Sequence, residues 1–124
     1  MSVLLAIFLG GGLGSLARYG ISVWLGKHSS GFPTGTLVAN ILACILLALV
    51  WSYAQKHIHM NEQLKAMLMV GFCGGFSTFS TFSFETFALL QEGAYGLALL
   101  YVGTSVLACL AVIAWVVRLY PSGE

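Results

Sequence analysis

Residues 71–87, GFCGGFSTFSTFSFETF, form the segment that most constrains how this chain can fold. The segment holds three glycines, six phenylalanines, six hydroxyl residues and one charged residue, Glu85. Apolar residues flank it on both sides, so it is predicted to lie in the middle of a membrane span. Unpaired polar groups are costly in hydrocarbon because no water is there to bond them. These polar groups are therefore expected to serve a function.

The composition predicts an all-α integral membrane protein of one domain. The 124 residues are 59% hydrophobic and 7% charged, whereas soluble domains have about 25% charged residues. A water-soluble fold would have too few charges to cover its surface. We predict four membrane spans, each long enough to cross a bilayer, at residues 3–24, 33–53, 64–90 and 95–117. No Lys or Arg precedes Arg18, so the first segment is expected to be retained as a span.

Glycines mark two of these spans. Gly71, Gly74 and Gly75 are expected to weaken the third helix, which is predicted to break at its centre, near residues 74–78. Broken membrane helices expose backbone groups that can hold ions. The first span contains GGGLGSLAR at residues 10–18. This run loosely matches a dinucleotide-binding pattern but lacks the preceding strand and the following acid, so close helix packing is favoured. Arg18 is expected to snorkel to the interface.

Polar residues in the second and fourth spans have two interpretations. Asn40 could form an interhelical hydrogen bond or present a donor to a pore, and the residue alone favours neither. Tyr101 and Ser105 are four residues apart and so share a helix face. The three cysteines lie in separate apolar segments without metal-ligand spacing, so they are expected to act as small apolar residues.

The distribution of positive charge and the small number of helices predict a homodimer whose chains can insert in either orientation. An even number of spans places both ends of the chain on one side of the membrane. Lys56, Lys65 and Arg118 fall on that side, and Lys27 with Arg18 on the other. So small a bias does not fix one orientation under the positive-inside rule. Four short helices also form a bundle too small to enclose a pathway, which favours pairing of two copies.

The aromatic and hydroxyl residues of the third span suit an anion. Phe79 and Phe82 are three residues apart, so their rings lie along one helix face. The edge of an aromatic ring is positive, and hydroxyl donors can replace the water around a hydrated ion such as fluoride. Conduction needs binding that is weak enough for release, which neutral donors provide. The alternative is that the phenylalanines only pack and the hydroxyls bond carbonyls four residues earlier.

Four motifs resemble those of the Fluc (CrcB-type) fluoride channels. They are GFCGGFSTFSTFSFE at residues 71–85, GTLVAN at 35–40, the GxxLR-like element at 14–18 and YVGTS at 101–105. The resemblance covers essentially the whole chain. It implies an antiparallel homodimer in the cell (inner) membrane that passively and selectively exports fluoride from the cytoplasm, and so lowers fluoride toxicity. Phenylalanines and polar donors would line two pores per dimer.

The resemblance also implies roles for individual residues. The positions that match the fluoride pathway are Asn40, Phe79, Thr81, Phe82, Ser83, Glu85, Tyr101 and Ser105. Gly74 and Ser77 would give backbone carbonyls to a structural Na⁺ ion at the centre of the dimer interface. Arg18 would lie at a vestibule or an interface.

Three other classes of function compete with a channel. A small dimeric proton-coupled multidrug exporter is the first alternative, but it usually needs an acid in the first span, which has none. A non-transporting assembly factor would leave the aromatic and hydroxyl residues unused. An enzyme is not expected because no set of nucleophile, base and acid is visible.

Overall fold

Four long helices, one of them interrupted, make up the computed structural model, which describes residues 1–26 and 31–121. Residues 27–30, which include Lys27 and lie between the first two predicted spans, and residues 122–124 lie outside the described residues. The elements in chain order are α1 (Val3–Gly26), α2 (Thr34–Lys56), α3 (Glu62–Ala66), a π-helical segment (Met67–Phe72), α4 (Cys73–Phe76), α5 (Phe79–Gln91) and α6 (Tyr95–Leu119).

The prediction of an all-helical protein with four membrane spans is confirmed. The helical segments Val3–Gly26, Thr34–Lys56, Glu62–Gln91 and Tyr95–Leu119 are each long and apolar enough to cross a membrane. Most of their side chains face outward from the single chain. The helices continue up to three residues past the predicted apolar spans. Helical hydrogen bonding does not stop where the apolar sequence stops, so such an extension is expected.

The third span departs from α-helical conformation in two places. Residues 67–72 are π-helical, and helical geometry then continues to Phe76. Ser77 and Thr78 are extended, with ψ of 156° and 119°, and α5 begins at Phe79. The glycines at 71, 74 and 75 are themselves helical, so the two extended residues follow the glycines rather than coincide with them.

Glycines allow α1 to pack against the third span at very short range. A Cβ placed on Gly10 would lie 2.2 Å from the Met67 carbonyl oxygen, and one on Gly14 would lie 2.2 Å from that of Phe72. In the other direction, a Cβ on Gly75 would lie 2.4 Å from the backbone of α1. The interpretation of the α1 glycines as packing residues is therefore confirmed, in the manner of small-residue membrane interfaces.

Two buried clusters hold the remaining helices together, and α2 packs mainly against α6. Ala39, Ala43 and Phe76 form the first cluster. Leu89, Ala98 and Tyr101 form the second, against which Phe82 also packs. The second cluster is closed by a tight turn at Gly93, where φ is 74° and the Ala94 N–H bonds the Leu89 carbonyl at 2.9 Å. Glycine suits this left-handed position because it has no Cβ.

Candidate functional site

The amide of Asn40 holds the backbone of Thr78. The Thr78 N–H donates to Asn40 Oδ1 at 2.8 Å, and Asn40 Nδ2 donates to the Thr78 carbonyl at 3.3 Å. One side chain from α2 thus satisfies both backbone groups of an extended residue in the third span. Of the two interpretations open from the sequence, the interhelical hydrogen bond is observed. Asn40 also lines a cavity, as the interpretation of this residue as a pore donor requires.

This bridge changes the hydrogen bonding of Gly74. In an uninterrupted α-helix the Thr78 N–H would bond the Gly74 carbonyl, four residues earlier. Since that N–H is donated to Asn40, the Gly74 carbonyl loses its usual helical partner. Gly74 is also exposed, and a Cβ placed on it would meet nothing within 4 Å in the described part of the chain. Gly74 thus combines an exposed position with a carbonyl that lacks its usual helical donor, next to the extended residue Ser77.

The hydroxyl of Thr78 starts helix α5. Its Oγ1 accepts the Thr81 N–H at 3.2 Å, as an N-capping side chain does. The same hydroxyl lies 3.3 Å from Ser80 Oγ. Thr78 thus fixes the direction of α5 and hence the positions of Phe79 and Phe82 on it.

Aromatic rings form a continuous row from α5 to α6. The ring centroids of Phe79 and Phe82 are 5.8 Å apart, inclined at 41°. Phe82 contacts Tyr101 at 5.1 Å and 60°, and Tyr101 contacts Phe32 edge-on at 5.5 Å and 75°. The spacing of Phe79 and Phe82 therefore does bring their rings together. Phe79 is 79% exposed, so one end of the row is uncovered in the single chain.

A cavity of about 270 Å³ lies along the uncovered end of this row. Its lining residues come from α2, α5, α6 and the extended residues of the third span. They are Asn40, Cys44, Ser77, Thr78, Phe79, Phe82, Ser105, Val106 and Cys109. The cavity therefore brings together Asn40, Phe79, Phe82 and Ser105, which were predicted from the sequence, and adds residues that were not.

A second cavity, of about 220 Å³, contains Glu85 and Thr81. Thr36 Oγ1 donates to Glu85 Oε1 at 2.5 Å, so the carboxylate of α5 is bonded to the start of α2. The Tyr101 side chain lies beside both Thr36 and Glu85. Tyr101 also contacts Phe82, which lines the first cavity. The tyrosine therefore lies between the two cavities.

Buried hydroxyls without partners distinguish this region. The Tyr101 hydroxyl and Ser105 Oγ are buried and make no hydrogen bond of acceptable geometry to the described residues. Tyr101 is fully buried and Ser105 is 6% exposed. Buried polar groups are usually paired because leaving one unpaired costs about 1–3 kcal/mol. Ser52 Oγ is also unpartnered, but it lines a separate groove near Lys56 and Tyr120.

The other hydroxyls of the third span have local partners or face outward. Ser77 Oγ donates to the Cys73 carbonyl and Thr86 Oγ1 to the Phe82 carbonyl, both at 2.8 Å. These two follow the alternative in which hydroxyls bond carbonyls four residues earlier. Ser83 is exposed and lines neither cavity of the single chain.

The Arg18 side chain bonds the backbone of the third span, a contact that its position in the sequence did not predict. Its Nε donates to the Gly75 carbonyl at 3.1 Å, and the residue is partly buried. Gly75 lies in the last turn of α4, where backbone carbonyls have no helical partner and the end of the helix carries a partial negative charge. A guanidinium cation is favourable at such an end, which explains why it turns inward.

Comparison with known proteins agrees with this geometry. Residues 5–117 match the family described as CrcB-like protein, Camphor Resistance (CrcB). The chain belongs to the CrcB family. The match includes all four helical segments, so the resemblance seen in the sequence is confirmed. Together with the apolar helices, membership in the CrcB family identifies a multi-pass membrane protein.

Curated CrcB relatives carry a functional name. Proteins of Salmonella arizonae, Salmonella paratyphi B and Salmonella newport, each named Fluoride-specific ion channel FluC, are 40% identical to the chain over 114 residues. The alignment covers 92% of this chain and 90% of each relative. Since the family comprises ion channels, the expectation that the chain is not an enzyme is confirmed.

Three contributors to the CrcB site were not predicted from the sequence. Thr36 was quoted only as part of a motif, and Thr78 only as one of several hydroxyls. The pairing of Cys44 with Cys109 across two helices had no signal in their spacing. For Thr78 a signal existed, since threonine is a preferred N-cap residue and this one lies three residues after a double glycine.

Proposed function

We propose that the chain is a passive fluoride channel that exports fluoride from the cytoplasm across the inner membrane. The observation that carries the proposal is the pair of unpartnered hydroxyls, Tyr101 and Ser105, beside the rings of Phe79 and Phe82. The relatives' name, Fluoride-specific ion channel FluC, specifies the ion. Export would lower the toxicity of fluoride that accumulates in the cell.

The chemistry of the cavity suits a small, strongly hydrated anion. Fluoride leaves water only where hydrogen-bond donors replace its hydration. Ser105 Oγ lines the first cavity without a partner among the described residues. Tyr101 contacts Phe82, and its side chain lies beside Thr36 and Glu85. Ring edges of Phe79 and Phe82 add weak positive potential without a fixed charge. Neutral donors bind an anion weakly enough for release, which conduction needs. Selectivity over chloride would follow from donors positioned for the smaller ion.

The rest of the pathway would use Asn40, Thr81, Ser83 and Glu85. Asn40 lines the first cavity and Thr81 with Glu85 the second, so the two cavities give a route along α5 past Tyr101. Ser83 would take part only where a second chain covers it. Because Thr36 bonds Glu85, it joins this set.

The functional unit would be an antiparallel, dual-topology homodimer of one-domain chains with two pores. Phe79 is largely exposed although it lines the first cavity, so a single chain leaves the cavity open on that side. A second chain lying against α5 would close it. Light scattering in detergent should then give twice the chain mass of 13.2 kDa.

A structural Na⁺ ion would join the two copies at the interruption of the third span, which would serve as a functional break. The Gly74 carbonyl, which lacks its usual helical donor, and the extended Ser77 fit this role, since sodium sites in membrane proteins use carbonyls at helix breaks. Two carbonyls from each chain would give four ligands. Arg18, bonded to the neighbouring Gly75 carbonyl, would support this interface.

Fluoride efflux from liposomes tests the channel. We expect purified protein to release fluoride without a proton gradient and to retain chloride, as followed with ion-selective electrodes. Phe82→Ile should slow the efflux, and so should Phe79→Ile. Ser52→Ala is the matched control, because it removes a buried unpartnered hydroxyl outside the two cavities. No fluoride release by folded protein, or equal release of chloride, would overturn the proposal. Proton-dependent transport of a cationic drug would instead support the exporter.

A further inference from the structure

Two cysteine thiols from different helices meet in the wall of the first cavity. Cys44 lies on α2 and Cys109 on α6, and both line the same cavity. Both cysteines are free and half-buried. From their separate spans they were expected to act as small apolar residues, but the packing of α2 on α6 makes them a pair.

The cavity gives an ion access to this pair. Cys44 and Cys109 line the same space of about 270 Å³ as Phe79 and Phe82. Cys73, the third cysteine, is buried and does not line it. Cys73 shares a smaller cavity of about 130 Å³ with Cys44 instead. The chain thus contains one thiol pair on the candidate pathway and a third thiol beside it.

We propose that Cys44 and Cys109 form a two-coordinate site for a soft, thiophilic divalent cation, for which the mercuric ion is the probe. Soft cations select thiolate ligands. Zn²⁺ prefers four ligands, and the described residues contain no group of three or more His, Cys, Asp or Glu side chains able to hold a metal. The site is therefore suited to an ion that accepts linear coordination by two sulfurs.

The reaction balances without a redox step. Hg²⁺ forms one bond to each sulfur as each thiol loses its proton to solvent, so two S–H bonds break and two S–Hg bonds form. Two thiolates and one divalent cation make a neutral complex. A monovalent ion between two thiolates would leave a net negative charge inside the membrane, which is costly. The bound ion would fill space beside Phe82 and Ser105, and block of conduction follows if the proposed function holds.

Mercury titration in detergent tests the site without any transport assay. We expect one equivalent of HgCl₂ per chain to remove two maleimide-reactive thiols and to produce a thiolate-to-mercury absorption band in the ultraviolet. This complex should resist a monothiol competitor in the wild type and in Cys73→Ser. In Cys44→Ser and Cys109→Ser the competitor should remove the metal. Cys→Ala variants, checked by size exclusion, replace any serine variant that fails to fold.

Retention of the complex in Cys109→Ser with its loss in Cys73→Ser would overturn the assignment, as would complete removal of mercury from the wild type by the monothiol.

A second arm measures fluoride efflux with and without HgCl₂. With the monothiol competitor present, we expect near-complete loss of efflux in wild type and Cys73→Ser, reversed by excess dithiol, and no loss in Cys44→Ser. Efflux that persists while the two-thiol complex is formed would overturn the blocking role. Absence of efflux before mercury is added would refute the proposed function and leave the titration result standing.

Discussion

Replacement of Asn40 by alanine should weaken both the fold and the ion pathway. The substitution removes two hydrogen bonds to the Thr78 backbone, at 2.8 Å and 3.3 Å. A net contribution of about 0.5–1.5 kcal/mol for each bond gives a loss of about 1–3 kcal/mol. The freed Thr78 N–H can then bond the Gly74 carbonyl and recover about 0.5–1.5 kcal/mol. The expected net loss is about 0.5–1.5 kcal/mol, the difference between these two ranges.

Reversible unfolding in mixed micelles at fixed protein concentration measures this loss. Asn40→Asp is the informative comparison, because its carboxylate still accepts the Thr78 N–H but cannot donate to the Thr78 carbonyl. In that variant the Gly74 carbonyl stays free, so the interruption of the third span should persist. In Asn40→Ala the recovered helical bond would straighten the span and occupy the carbonyl that the proposed Na⁺ site needs.

Fluoride efflux at saturating Na⁺ then separates a loss of fold stability from damage to the proposed ion pathway. We expect Asn40→Ala to lose efflux by more than its modest change in stability explains, because Phe79 and Phe82 follow directly from the Thr78 cap. A variant with wild-type stability and wild-type efflux would refute the view that Asn40 fixes this backbone. A loss of stability above about 3 kcal/mol would also contradict it, since two hydrogen bonds cannot supply more.

Three further outcomes follow from the packing and the hydroxyls. Gly14→Ala places a Cβ 2.2 Å from the Phe72 carbonyl oxygen, so its yield of folded protein by size exclusion should fall sharply. Gly12→Ala, which meets nothing within 4 Å among described residues, should not change the yield. Tyr101→Phe removes a buried unpartnered hydroxyl, so it should keep or raise the unfolding free energy, by up to about 1–3 kcal/mol, while slowing fluoride efflux. Slowed efflux with lower stability would point to a structural hydroxyl instead. Replacement of Na⁺ by N-methylglucamine should lower the thermal stability of the dimer, and an unchanged melting temperature would count against the sodium site.

Several features of the fold could be predicted because each depends on one segment at a time. Apolar length alone located the four spans. The close spacing of Gly10 and Gly14 indicated tight packing, and the structure shows both residues against the backbone of the third span. The contact of Phe79 with Phe82 followed from helical spacing. Each of these inferences needs only the geometry of a single helix.

Contacts between spans could not be predicted in the same way. Nothing in the local sequence of Asn40 specifies Thr78 as its partner, and nothing near Arg18 specifies the Gly75 carbonyl. Thr36 with Glu85, and Cys44 with Cys109, are likewise pairs that only the packing of α2 against α5 and α6 creates.

The third span shows why a sequence rich in hydroxyls does not by itself identify the groups that meet an ion. Ser77 and Thr86 bond backbone carbonyls, and Thr78 caps a helix, so their hydrogen-bonding capacity is largely used within the fold. Near the rings, the hydroxyls without a partner of acceptable geometry lie instead on α6, at Tyr101 and Ser105. In the proposed pathway the third span would position the rings and the fourth would supply the donors. An anion moving along Phe79 and Phe82 would then meet both because α5 packs against α6, and a second chain over Phe79 would shield it from lipid.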